Sequence, residues 1–150
     1  MIILGIDPGA SGAVAFYGTT GGVNGYGGIE TCALSGTERD VSNFLVQFRN
    51  GTFAYIEKVH SMPRQGVASS FKFGMSYGFL RGCLISLGIP FEEVTPQRWQ
   101  KAMGCLSKGD KNVTKARAQQ LFPEIKITHA IADALLIAEY GRRLRAGELA

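Results

Sequence analysis

The chain begins with an apolar run, Ile2, Ile3, Leu4 and Ile6, that ends in a carboxylate, Asp7, where proline and glycine take over. Apolar residues on consecutive positions read as a strand buried on both faces. An ionised carboxylate at the end of such a strand is costly to bury alone, so another part of the chain must supply it with a partner. Any fold open to this sequence has to meet that demand.

After Asp7, "PGASG" makes a turn and "AVAFYG" (13–18) resumes a β-prone run, so residues 2–18 predict a hairpin. The glycine-rich "TTGGVNGYGG" predicts a second turn, with a third strand ending near Thr31. Val41, Phe44, Leu45 and Phe48 fall at helical spacing from Glu38 onward, and Asn50-Gly51 stops the pattern. "TFAYIEKV" (52–59) is strand-like and again ends in a carboxylate, Glu57, followed by the irregular "HSMPRQG".

Residues 67–87 read as a helix in which Gly74, Gly78 and Gly82 recur every fourth residue among Phe71, Met75, Phe79 and Leu84. Such a glycine face suits close packing, against a neighbouring element or a second subunit. "PFEEVTP" predicts a short strand, "PQRWQKAMG" a short helix, "GDKNVTKARAQQLFP" a basic helix starting near Asp110, and the last helix runs from about Thr128 to Leu144. Three strands, a helix, a strand, a helix, a strand and then helices suit an α/β architecture, a mixed five-stranded sheet flanked by helices.

At 150 residues the chain fits one domain and is too short for two lobes that clamp a nucleotide. Lys and Arg number 16 against 12 Asp and Glu, a mild bias towards polyanions, with a pI near 9.1. Cys32, Cys83 and Cys105 are far apart and lack CxxC spacing, which argues against a zinc site or a disulfide framework. No basic leader precedes the first apolar run, and the run is too short to span a membrane. The expectation is a soluble, cytoplasmic protein with no membrane partner.

Asp133 lies in the middle of "THAIADALLIAEYG", a helix apolar nearly all round. With Thr128 as N-cap it is the fifth helical residue, beyond the turn where a carboxylate would relieve unpaired amides, so capping explains it poorly. Asp7, Glu57 and Asp133 therefore stand out together. Brought close, they would repel one another unless something positive sat among them. Oxygen ligands without paired His and Cys suit Mg²⁺, with Mn²⁺ as a substitute. Two such ions can drive phosphodiester hydrolysis.

"GIDPGASGAVAF", "YIEKVHSM", "GDKNVTKARAQQLFP" and "HAIADALLIAEYGRR", with "VTPQRWQKAMG", together resemble the RuvC-type Holliday-junction resolvases, particularly phage-borne members. The resemblance spans nearly the whole chain. It implies a single RNase H-like nuclease domain over 1–150, a homodimer, Mg²⁺ dependence and paired nicking of four-way DNA junctions. By position it makes Asp7, Glu57 and Asp133 the catalytic metal ligands. The family usually has a fourth Asp or His three residues before the last aspartate, where this chain has Ala130. His129, four residues before Asp133 on the same helical face, either takes that catalytic role or is a helix-start histidine with no chemistry.

For DNA contact the candidates are Lys108, Lys111, Lys115 and Arg117, with Lys111 and Lys115 one helical turn apart, and also Arg64 and Arg98. The alternative for such a charge run is a solvated helix face. The resemblance implies that the segment after Glu57 enters the junction centre. It holds His60, Met62, Arg64 and Gln65 but no aromatic between Val59 and Ser70 to hold strands apart, which leaves Met62 as a weak candidate for that role. Trp99, Phe71 and Phe73 read as core residues, with dimer contact the alternative for the two phenylalanines.

The function expected is a metal-dependent endonuclease that nicks Holliday junctions and other branched DNA. Three rivals remain at this level. A junction binder without cleavage would show no Mg²⁺-dependent nicking, and an RNase H acting on RNA/DNA hybrids would use a further carboxylate in the first helix, Glu38 or Asp40. "GIDPGASGA" also looks like the phosphate loop of sugar kinases and chaperone ATPases, which need a second lobe.

Overall fold

The computed structural model describes residues 1–18, 27–59 and 64–149. His60 and Met62, and the glycine-rich turn over 19–26, lie outside the described residues. In chain order the elements are β1 (Ile2–Asp7), β2 (Ala13–Gly18), β3 (Gly28–Ala33), α1 (Glu38–Gln47) and β4 (Thr52–Glu57), then α2 (Val67–Ser86), β5 (Phe91–Val94), α3 (Pro96–Met103), α4 (Lys111–Leu121) and α5 (His129–Arg145). That is the order the sequence pattern predicts. The third strand runs two residues further than expected, because its register with β2 continues to Ala13 opposite Ala33.

The sheet has the order β3-β2-β1-β4-β5. β1, β2 and β3 pair antiparallel, while β4 pairs parallel with β1 and with β5. A mixed sheet flanked by helices is thus observed.

Strand parity divides the core in two. Leu4, Ile6, Ala54 and Ile56 join one cluster with Val41 and Leu45 of α1 and Leu80 and Leu84 of α2. Ile3 and Tyr55 join the other, with Trp99 and Met103 of α3, Ala118 of α4 and a run of α5 from Ala132 to Ala138 that skips only Asp133. Side chains alternate along a strand, so Asp7 shares its face with Ile3, and Glu57 shares its face with Tyr55. Both carboxylates therefore face the α5 layer.

Gly5 is what lets α5 come so close. A Cβ at Gly5 would lie 2.1 Å from the carbonyl oxygen of Ala134 and 2.3 Å from the nitrogen of Ala138. At Gly141, a Cβ would meet the Tyr55 ring at 2.3 Å. Two glycines, one on the strand and one on the helix, thus seat α5 directly on β1 and β4.

The starts of α1, α3 and α4 are set locally by side-chain caps. Thr37 caps α1 reciprocally with Asp40, Thr95 caps α3 with Pro96 in the first turn, and Asp110 caps α4 through the Asn112 amide. The predicted glycine contact of α2 is not found within the described residues. A Cβ at Gly74, Gly78 or Gly82 would meet no atom within 4 Å. Val67, Phe71, Met75 and Ile85 lie 89, 68, 56 and 64% exposed. At 3.6 residues per turn these seven positions fall within an arc of about 100°, one apolar stripe left uncovered. Phe71 is therefore not a core residue, whereas Phe73 is half-buried and reaches to within 3.8 Å of a Cβ at Gly9.

Among the described residues no helix is long and apolar enough to cross a membrane. Cys32, Cys83 and Cys105 are free thiols.

Candidate active site

Parallel pairing sets Ile6 opposite Ile56, so Asp7 and Glu57 each follow by one residue, at the carboxyl ends of adjacent strands. That edge of an α/β sheet is where backbone direction and loop geometry leave room for a ligand. Asp7 is wrapped by the turn that follows it. The Gly9 amide donates to Asp7 Oδ1 at 3.1 Å, the Gly12 amide donates to the Gly9 carbonyl, and a Cβ at Gly12 would strike the Asp7 carbonyl at 2.2 Å. Ser76 Oγ of α2 donates to the Pro8 carbonyl at 3.0 Å, pinning the turn from the other layer.

Asp133 enters from α5, buried, with Oδ1 lacking any hydrogen-bond partner. Its other oxygen accepts from Lys111 Nζ at 2.8 Å. Glu57 Oε2 accepts from the indole Nε1 of Trp99 at 2.8 Å.

The electrostatics show the three carboxylates acting on one another. Burial, then the Asp133 charge, pushes the Asp7 carboxyl up, against the Gly9 amide and Lys111. Burial, then the Asp7 charge, pushes Glu57 up to about 7, with Asp133 adding to the rise and Trp99 and Lys111 opposing it. For Lys111, burial pulls its pKa down, but the Asp133 hydrogen bond and the charges of Asp133, Asp7 and Glu57 outweigh it and raise the net value. An excess of negative charge thus surrounds a single ammonium.

As they stand, no three His, Cys, Asp or Glu side chains among the described residues are close enough to hold one ion. Asp133 is engaged by Lys111 and Glu57 by Trp99. The donor set nevertheless fits a hard divalent cation: oxygen atoms only, Asp7 and Asp133 buried and Glu57 half-buried, mutually repelling, with the Asp133 Oδ1 unsatisfied. Mg²⁺ or Mn²⁺ would be held by Asp7, Glu57 and Asp133.

The other candidates are more scattered. His129 is exposed at the first residue of α5 and makes no hydrogen bond or ion pair among the described residues. Lys108 is exposed in the loop before α4, at φ 50°, and Lys115 is half-buried one turn beyond Lys111. Arg117 is turned inward, its Nε donating to the Met103 carbonyl at 2.7 Å, and Arg98 pairs with Glu92 at 3.4 Å. Arg64 is exposed just after the segment that is not described. In α1, Asp40 is taken up by the cap at Thr37 and Glu38 lines a surface groove with Lys72, so neither joins the carboxylate cluster.

Trp99 is the residue that sequence reading missed. Core burial was foreseen for it, but the partner of its N–H was not. A buried indole needs an acceptor, and that requirement was the available signal.

No protein-family model matches the sequence, and no curated protein matches it. Solved structures do. The Thermus thermophilus RuvC structure is similar at a TM-score of 0.64 and 18% identity, covering 99% of this chain and 98% of that one. The T. thermophilus RuvC in complex with Holliday junction substrate is similar at a TM-score of 0.62 and 19% identity, with the same coverage. A fowlpox virus resolvase in complex with Holliday junction DNA reaches a TM-score of 0.50 at 18% identity, covering 96% of this chain and 99% of that one. The chain therefore shares the RNase H-like fold of these structures over 96–99% of its length.

Proposed function

We propose that this chain is a crossover junction endodeoxyribonuclease, a single nuclease domain that nicks four-way DNA junctions by metal-dependent phosphodiester hydrolysis. One observation carries the reading. Asp7 and Glu57, at the ends of neighbouring parallel strands, converge with Asp133 of α5 in a fold shared over its full length with junction resolvases, two of them holding junction DNA.

Asp7, Glu57 and Asp133 would hold Mg²⁺, or Mn²⁺ in its place. Bound there, such ions supply activation of water and charge stabilisation at the leaving oxygen. The chain's own part is to fix the carboxylates. The Gly9 amide orients Asp7, Trp99 holds Glu57, and the seat of α5 on Gly5 sets the depth of Asp133. Lys111 offsets part of the cluster's charge through Asp133 in the absence of metal. Lys108, Lys115 and Arg64 are the cations offered to phosphates, as a polyanionic substrate beside an acidic centre requires, whereas Arg98 is taken up by Glu92.

Two equivalent strands of a four-way junction are most simply cut by two sites related by a two-fold axis. The uncovered stripe of α2 is the surface through which a second copy would pair, and Ser76 on the same helix contacts the turn behind Asp7. A protein working on DNA in this way would sit in the cytoplasm, in keeping with free thiols.

The test is a panel of four-way junction, flap, RNA/DNA hybrid and linear duplex substrates with Mg²⁺, for the native chain and Asp7→Asn. Paired nicks in the junction, lost in Asp7→Asn while junction binding persists, are expected. Cleavage confined to the hybrid, or normal cleavage by Asp7→Asn, would overturn the reading.

A further inference from the structure

Trp99 is the chain's single tryptophan, fully buried, and its N–H is spent on a carboxylate of the proposed site rather than on a backbone carbonyl. The indole has little freedom to move. β5 leads into α3 with no loop beyond Thr95, and the Lys58 amide donates to the Val94 carbonyl at 2.7 Å, locking the ends of β4 and β5 together. At the other end of α3, Gly104 closes the helix in a left-handed conformation and Arg117 of α4 grips the Met103 carbonyl. The donor is therefore fixed by the fold, and Glu57, on a strand end, conforms to it.

Among the described residues Oε2 of Glu57 accepts from Trp99 and Oε1 has no protein partner. A glutamate left to itself could rotate both oxygens toward an ion or toward Lys111. With one oxygen tied, the carboxylate plane is set.

We infer that Trp99 is a positioning residue for metal binding: its indole N–H holds one oxygen of Glu57 so that the other alone is presented to a divalent cation. The inference rests on the reading of Asp7, Glu57 and Asp133 as the metal site. It also makes the only indole of the protein a local reporter of that site.

The experiment uses the full chain without DNA and Mg²⁺ alone as the probe. Calorimetry measures Mg²⁺ binding to the native chain and to Trp99→Phe, which keeps an aromatic ring and removes the donor. The single indole N–H resonance is followed in the native chain during the same titration, and in Glu57→Gln. Loss of a group that orients a metal ligand typically weakens metal binding about 10-fold or more, and Trp99→Phe should do so. The indole signal should move with the calorimetric midpoint, and should be displaced in Glu57→Gln before any metal is added.

Native-like Mg²⁺ affinity in Trp99→Phe, or an indole signal that ignores both Mg²⁺ and the Glu57→Gln change while calorimetry records binding, would overturn the role of Trp99 and leave the metal site standing. Absence of Mg²⁺ binding to the native chain would overturn both. Should Trp99→Phe fail to fold, the indole measurements on chains that retain Trp99 decide the matter alone.

Discussion

Lys111 Nζ donates to Asp133 Oδ2 at 2.8 Å from the first residue of α4. A cation is unfavourably placed there, since a helix N-terminus carries partial positive charge of its own. The carboxylates hold it in that position, and it occupies part of the space in which a metal would satisfy them.

Lys111→Met should therefore have opposite effects with and without metal. In chelator, the buried Asp133 loses its partner and urea denaturation should show a loss of about 1 kcal/mol, kept small because the lysine side chain is 63% exposed. Mg²⁺ should bind about 30-fold more tightly, the equivalent of about 2 kcal/mol for a unit charge removed ~4 Å from a divalent ion in water-like dielectric. Lys115→Ala should leave Mg²⁺ binding alone and instead reduce the slope of log junction affinity against log salt by about one. Unchanged Mg²⁺ affinity in Lys111→Met would remove the lysine from the centre.

The raised pKa of Glu57 makes a stability prediction with a definite sign. Its ordinary value of 4.5 rises to about 7 in the fold, so the folded state prefers the protonated form. That contribution is fully present below pH 4.5 and is lost as pH rises through 7. Metal-free Glu57→Gln, neutral throughout, should match the native chain in acid and exceed it at pH 8 by about 1–2 kcal/mol, after discount for partial exposure. Thermal melts in chelator across that range check it. A constant difference at every pH would mean that Glu57 is not the group responsible.

Much of this was legible in the chain because the informative residues break a pattern. Asp7 and Glu57 end apolar strands and Asp133 interrupts a buried helix, so each carboxylate announced itself where solvation could not explain it. The order of strands and helices followed from periodicity together with the glycine, proline and capping residues that punctuate it. What the sequence withheld were relations between elements. Lys111 read as a phosphate contact because helical spacing shows which face a lysine lies on, not what stands across from it. The Asp40 carboxylate could not be told from a site residue until its cap at Thr37 was seen. Gly74, Gly78 and Gly82 promised a close neighbour, and whether it belongs to this chain is a question of tertiary packing.

That stripe on α2 yields the third prediction. Phe71→Glu and Met75→Glu alter residues that are 68 and 56% exposed, so each should fold as the native chain does, within about 0.5 kcal/mol. If the stripe pairs two copies, either change should turn a dimer into a monomer in sedimentation at micromolar concentration. Paired nicking of the junction should then fall away while single nicks persist. A native chain that sediments as a monomer, with and without junction DNA, would contradict the assignment.

Gly5 offers the most direct test of how the fold sets the site. In Gly5→Ala the new Cβ would face the Ala134 oxygen at 2.1 Å and the Ala138 nitrogen at 2.3 Å, both backbone atoms that no rotamer change can move aside. The helix itself must lift from β1. Overpacking of this kind costs about 1–3 kcal/mol, and here the upper end is expected because both sides of the contact are main chain. Asp133 immediately precedes Ala134, so the displacement carries the carboxylate away from Asp7. Mg²⁺ should therefore stabilise Gly5→Ala much less than it stabilises the native chain, a difference read from melting temperatures with and without the ion. A variant that is destabilised yet gains the full Mg²⁺ increment would show that the seat of α5 on β1 matters for the fold and not for the site.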